Sequence, residues 1–222
     1  MELAMRRVYH FCPNGHGISN LVNRRLKVST FTDLNDSFEL LCHDAGDEAT
    51  RKSLNEFKQV ISKKSSLLCF SKSFNSPVQW AHYADRHKGL CLGFDVPCDF
   101  VGDVRYTARR IQFGAKSKDM KEGFAKQAAD IFMTKYKHWS YEEEVRMLGD
   151  LRAPDPESGL YFIGFGESLV LKEVVVGSRS NLLRKDVNDA LGALHDQVDV
   201  FQVRAAFRSY KMVKCLDASL WV

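Results

Sequence analysis

Strand-like and helix-like segments are interleaved along this chain without a regular βαβ beat, and that irregularity constrains the fold more than any single motif. Alternation or short apolar runs predict strands at residues 8–11, 26–30, 67–71, 89–94, 101–106, 160–165, 170–176, 198–203 and 210–213. Helix periodicity predicts segments at 18–25, 51–63, 77–85, 120–137 and 182–194, with Pro77 suited to a first helical turn. The longest, 120–137, spaces Met120, Phe124, Ala128, Phe132 and Tyr136 four apart. A doubly wound fold would repeat strand–helix–strand units, and a nucleotide-binding one would open with a Gly-rich turn after a strand; neither pattern is present. The expectation is an α+β chain folding as a single domain over 1–222, with largely antiparallel pairing.

Bulk properties narrow the class. With 222 residues, 45% hydrophobic content and 27% charged residues, the chain can bury a sizeable core. No apolar run approaches the ~20 residues of a membrane-spanning helix, and no apolar stretch follows the charged residues at the N-terminus. The expected location is therefore cytoplasmic, with no membrane partner. The six cysteines lack the two-residue spacing of zinc ribbons and redox motifs and read as reduced thiols, Cys69 and Cys91 as small core residues. No metal is predicted, because His82 and His87 are five apart and miss the spacing that puts two histidines on one helix face. The net charge of +4 lies in residues 1–111, with 16 basic against 12 acidic side chains, whereas 112–222 balance at 16 and 16. The basic clusters Arg24, Arg25, Lys27 and Arg105, Arg109, Arg110 suit an anionic ligand such as a dinucleotide or nucleic acid.

Chemistry-bearing residues fall into three segments. Residues 139–146 read Trp-Ser-Tyr-Glu-Glu-Glu-Val-Arg. On a strand, Glu142 and Glu144 share a face roughly 6.5–7 Å apart. Such a pair costs free energy unless a cation or hydrogen-bond donor faces it. That cost has a purpose if the pair stabilises a cation-like transition state; an acidic strand edge in water with Arg146 as charge partner is the other reading. The second segment joins Phe70-Ser71-Lys72-Ser73 to a helix bearing Trp80, His82, Tyr83, Asp85 and His87, where two aromatics three apart are either core or a stacking platform. The third, 31–39, holds Asn35 and Asp36, which can build a turn on local backbone amides, with Phe38 expected to pin it to the core; the loop reads equally as structural or as a substrate contact. No nucleophile elbow and no P-loop are present.

Taken in order, these motifs resemble the bacterial domain-of-unknown-function family 2971. The residues that carry the likeness are Tyr9; Leu34 to Glu39; Cys69 to Ser71 with Trp80, Tyr83, Ala84, His87 and Gly89; Trp139 to Arg146; and Lys172 to Ser178. The order of a Tyr-His strand, a Ser-x-Ser strand, an aromatic helix and a late Glu-x-Glu strand is also distantly similar to NAD-dependent ADP-ribosyltransferases. That resemblance implies two small, largely antiparallel sheets with flanking helices and NAD held between them as substrate. It implies Tyr9, His10, Ser71, Ser73, Trp80, Tyr83 and His87 on the cofactor side, with His10 on the ribose and Ser71 and Tyr83 beside the nicotinamide. Glu144 becomes the catalytic carboxylate and Glu142 the residue that orients the acceptor. The partners implied are a protein or nucleic-acid acceptor and, by analogy with toxins and phage-defence effectors, a regulator or antitoxin. A non-catalytic nucleotide-binding or sensing module and a nucleotide or nucleic-acid hydrolase stay open beside it.

Overall fold

The computed structural model describes residues 3–111 and 130–222. Twelve strands and four α-helices are assigned among them. The chain runs β1 (Met5–Cys12), α1 (Asn14–Asn23), β2 (Arg25–Lys27), α2 (Glu48–Ser62), β3 (Ser65–Ser71), α3 (Pro77–Tyr83), β4 (Leu90–Pro97), β5 (Val101–Asp103) and β6 (Arg105–Thr107). It continues through β7 (Thr134–Tyr136), β8 (Glu144–Asp150), β9 (Phe162–Gly164), β10 (Val170–Val176), α4 (Arg184–Leu191), β11 (Asp199–Ala205) and β12 (Met212–Lys214). Among the described residues, no helix is long and apolar enough to cross a membrane.

The mixed helix-and-strand architecture follows the expectation, but the two small sheets do not. Eight strands form one sheet in the order β12-β11-β10-β4-β1-β3-β8-β5, antiparallel at every junction except β10–β11. Two short ribbons, β2–β9 and β6–β7, stand beside it. The reason for the single sheet is one residue pair. β1 pairs with β4 from Met5 to Cys12, whereas its pairing with β3 is recorded at Tyr9↔Ser71 alone. That bridge joins a five-stranded part to a three-stranded part and leaves the rest of the β1 and β3 edges free to part.

Both faces of the five-stranded part are covered. Leu90, Leu92, Phe94 and Val96 of β4 alternate onto one face, where Leu21 of α1 and Val187 and Leu191 of α4 join the main core. Gly17 of α1 is required there, since a Cβ would lie 2.6 Å from Leu90. The other face buries Tyr9, Cys91, Val175 and Phe201 beneath α3, whose Trp80 is fully buried. Trp80 meets Phe11 edge-on at 5.2 Å between ring centroids. Ser76 caps α3 by accepting from the Gln79 amide, one residue before the N1 proline. A third cluster of Phe31, Leu40, Leu67 and Ile131, with Phe57 and Ile61 of α2 against it, fixes the 31–43 loop beside β3.

Two local expectations are corrected. The predicted helix 120–137 falls mostly outside the described residues; within them, 130–132 are helical but Thr134–Tyr136 is a strand paired in parallel with β6. The pairing of Thr134 and Tyr136 along a neighbouring strand overrides the four-residue spacing. Phe38 does not pin its loop: it is 55% exposed, and Phe31 and Leu40 fill the core instead.

Candidate active site

Where β1 and β3 part, a cavity of about 170 Å³ opens. It follows β3 from Leu67 to Ser71, five residues or roughly 13 Å of strand. Lys27 and Ser29 belong to the Leu67 end, because Ser29 bridges to Leu67. Ser71, Gln79, Tyr83, Lys135, Glu142 and Glu144 belong to the other end, where Ser71 pairs with Glu144. His10 spans the gap between the strands: its Nδ1 lies 3.2 Å from the Cys69 carbonyl oxygen. A carbonyl only accepts, so Nδ1 carries the proton and Nε2 the lone pair. Burial pushes the His10 pKa down, which keeps the ring neutral.

The acidic pair is built differently from a strand. Glu142 ends a 3₁₀ turn (Lys137–Glu142), Glu143 is left-handed with φ 44°, and β8 begins only at Glu144. The two carboxylates nevertheless converge, because both accept from the Lys135 ammonium, at 2.6 Å for Glu142 Oε2 and 3.2 Å for Glu144 Oε2. Lys135 Nζ also lies 4.8 Å from the centroid of the Trp139 ring. Its own burial would lower the Lys135 pKa, but Glu144 and Glu142 reverse that and raise it.

Arg146 is a charge partner of the pair, but inside the protein rather than at an edge in water. Its guanidinium donates Nε–H to Glu144 Oε1 at 2.9 Å and both terminal nitrogens to Glu39, at 2.7 and 2.8 Å. Its two remaining N–H groups go to the Phe132 carbonyl at 2.6 Å and to Glu144 Oε2 at 3.3 Å. A buried arginine tolerates its desolvation when every edge is bonded in this way. Burial alone would raise the Glu144 pKa, but Arg146 and Lys135 hold it below the ordinary carboxylate value. Glu142 moves the other way: burial raises it, and Lys135 and Tyr83 offset this only in part. The two glutamates are thus separated by environment into a fixed anion and a carboxyl that takes a proton more readily.

Neutral side chains complete the end of the cavity. Tyr83 donates its hydroxyl proton to Glu142 Oε1 and accepts from Asn35 Nδ2 at 3.2 Å. Gln79 donates its amide to Ser71 Oγ, the Tyr141 carbonyl and the Glu142 carbonyl, at 3.0, 2.9 and 2.8 Å, tying α3 to the 3₁₀ turn. The Glu144 backbone N–H donates to the Tyr106 hydroxyl at 2.7 Å, so the start of β8 is held by side chains as well as by β3.

Of the expected site residues, the structure brings Tyr9, His10, Ser71, Tyr83, Glu142 and Glu144 to one cavity. It places three elsewhere. Trp80 is in the core, its indole donating to the Phe74 carbonyl. Ser73 shapes the turn before α3, with its Oγ accepting from the Asn75 amide. His87, at φ 70°, packs its carbonyl against Gly177 and accepts there from the Arg179 amide. All six cysteines are free, and Cys69 and Cys91 are held protonated by burial. Among the described residues, no group of three His, Cys, Asp or Glu side chains is arranged to hold a metal ion.

Lys135, Gln79, Glu39, Asn35 and Tyr106 were not singled out as site residues from sequence. Glu39 and Asn35 do lie in the loop motif, but nothing in a local period points to Lys135, seven positions before Glu142.

Residues 79–147 match the model of a family described as a protein of unknown function, DUF2971. The resemblance to that family is thereby shown over this stretch. It begins at Gln79 and contains Tyr83, Tyr106, Lys135, Glu142, Glu144 and Arg146, most of the polar network. Tyr9, His10, Asn35, Glu39 and Ser71 lie before it. No curated protein and no solved structure matches the chain.

Proposed function

We propose that the cavity binds NAD and that the chain transfers its ADP-ribosyl group to an acceptor. One observation carries this reading. Among the described residues, the ion-pair network at the Ser71 end of the cavity holds three buried carboxylates, Glu142 and Glu144 in the cavity wall and Glu39 outside its lining, against two cations, Lys135 in the wall and Arg146 outside the lining. A buried surplus of negative charge is costly by itself and is complementary to a cationic group entering the cavity. The pyridinium ring of NAD is such a group, and so is the oxocarbenium-like ribose formed as the ring leaves. The cavity, below the ~300 Å³ of common ligand pockets, encloses a ring-sized group. The rest of the dinucleotide then runs along β3 toward Lys27, whose ammonium suits the phosphates.

In this reading the C–N glycosidic bond breaks with its electron pair going to the ring, which leaves as neutral nicotinamide. Glu144, held ionised by Arg146 and Lys135, stabilises the positive charge developing on the sugar. Glu142, with its raised pKa, takes the proton from the acceptor as its oxygen or nitrogen bonds to the sugar carbon. His10 offers Nε2 as an acceptor to a ribose hydroxyl. The parting of β1 and β3 supports the likeness to the cleft of ADP-ribosyltransferases. A second reading, a nucleotide-binding module without turnover, has its own support: both Glu144 oxygens are already engaged by Arg146 and Lys135.

Nicotinamide release from NAD by the wild type, Glu144→Gln and Glu142→Gln tests the reading. The expected result is release by the wild type and a loss of about 100-fold or more in Glu144→Gln. Binding without release supports the module. The absence of both release and an NAD-dependent rise in melting temperature sinks both readings.

A further inference from the structure

We infer that the β11–β12 hairpin is a docking element for single-stranded nucleic acid, a site separate from the NAD cavity. Ala206 donates to the Lys211 carbonyl at 2.9 Å and closes a loop of four residues, Phe207-Arg208-Ser209-Tyr210. Both aromatics stand in solvent, Phe207 at 87% and Tyr210 at 99% of full exposure. Single exposed apolar side chains are ordinary; two rings on one four-residue tip, without a neighbour to bury them, present stacking surface.

The charge around them is of one sign. Residues 200–216 contain Arg204, Arg208, Lys211 and Lys214 and no acidic residue. Lys214 is paired with Asp199 at 2.7 Å, which leaves three cations at the tip. The Arg204 guanidinium lies 4.1 Å from the centroid of the Phe207 ring and holds it against one side, leaving the other face open. Aromatic faces interleaved with cations are the chemistry of single-strand recognition: bases stack on the rings while lysine and arginine meet the phosphates. An anionic membrane fits less well, because a four-residue tip offers two rings and no extended apolar face of the kind a membrane-surface helix buries.

The hairpin is fixed rather than dangling. Met212 is buried at its root, donates its N–H to the Asn75 carbonyl and accepts from Asn75 Nδ2, both at 2.8 Å. Asn75 lies in the 72–76 link between β3, which ends at Ser71, and α3, which carries Gln79 and Tyr83. The root of the hairpin is therefore tied to the segment that leads into α3, which gives the tip a fixed base.

The test is fluorescence anisotropy with labelled 20-nucleotide oligo-dT and oligo-U, using the full chain, without NAD, at low and at 0.3 M salt. The expected result is saturable, salt-weakened binding by the wild type. Phe207→Ala and Tyr210→Ala should each weaken it by about fivefold or more, and Arg208→Glu with Lys211→Glu should do so more strongly at low salt. These positions are exposed, so circular dichroism and melting temperature should match the wild type. Absence of binding overturns the proposal, and so does binding that none of these variants weakens. Two further outcomes also overturn it: tip-dependent binding to phosphatidylserine vesicles without oligonucleotide binding, and tip-dependent self-association on sedimentation without it. Because NAD is absent, failure here leaves the NAD reading standing, and the converse holds.

Discussion

The Lys135 ammonium lies 2.6 Å from Glu142 Oε2, a contact between a short strand and a 3₁₀ turn seven residues later, with 3.2 Å to Glu144 on the other side. This lysine makes it tolerable to bury two adjacent carboxylates, and it does so without neutralising all of their charge.

Lys135→Met removes the cation and leaves Glu142 and Glu144 facing each other across a buried gap. The expected loss is about 3–5 kcal/mol at pH 8, as for other buried pairs broken from one side. With the lysine gone, both carboxyls gain in pKa and take up protons at mildly acidic pH. The loss should therefore be smaller at pH 5 than at pH 8, as measured by urea denaturation. An equal loss at both pH values would show that the carboxylates do not depend on Lys135.

Glutamine at the two glutamates should separate their environments. Glu144 has a folded pKa below its ordinary 4.5, so its charge stabilises the fold above that value, and this stabilisation is lost as pH falls through the folded pKa. Glu144→Gln should then be destabilising at pH 7, with a gap to wild type that narrows below pH 4.5. Glu142 has a folded pKa above 4.5, so its ionisation costs stability as pH rises from 4.5 through the folded pKa. Glu142→Gln should hold or gain stability relative to wild type as pH rises through that window. Denaturation midpoints at pH 4, 5, 6 and 7 measure both curves.

Arg146→Lys keeps the charge but not the fork. A lysine cannot bond both Glu39 oxygens, Glu144 and the Phe132 carbonyl from a buried position. A loss of about 3 kcal/mol or more is expected, and a double-mutant cycle with Glu39→Gln should give a coupling of about 1–3 kcal/mol. Full additivity would show that the Glu39 contact contributes nothing.

Trp80→Ala should cost about 3–5 kcal/mol of stability through the cavity it leaves against Phe11 and beneath the sheet. Trp80→Phe, which loses the indole bond to Phe74 but keeps the ring, should fold and retain whatever NAD affinity the wild type has. A selective loss of NAD affinity in Trp80→Phe with stability unchanged would contradict the core assignment.

Most strands were legible, with β10 read from end to end, because alternating or continuous Val-rich runs report burial directly. The sheet count was not, since one pair, Tyr9↔Ser71, decides between one sheet and two, and a single bridge leaves no period in the sequence. Glu142 and Glu144 were read as neighbours facing the same way. That holds in space through Lys135 and not through strand alternation, which the left-handed Glu143 breaks. Trp80 and His87 illustrate the opposite failure. Both sit in the most motif-like segment of the chain, and both serve its packing: a large buried ring and a tight turn look, in sequence, like a binding motif. Lys135 was hidden because a helix-like spacing ran across a three-residue strand.

The surplus carboxylate is the centre of the functional account, and the charge of the nicotinamide ring tests it most directly. NAD carries a cationic pyridinium, whereas NADH has nearly the same shape with a neutral ring. Titration calorimetry of both into the wild type and Glu142→Gln should show NAD binding at least about tenfold tighter than NADH, with the preference reduced in the variant. Equal affinity for the two forms, or no binding of NAD, would contradict the account.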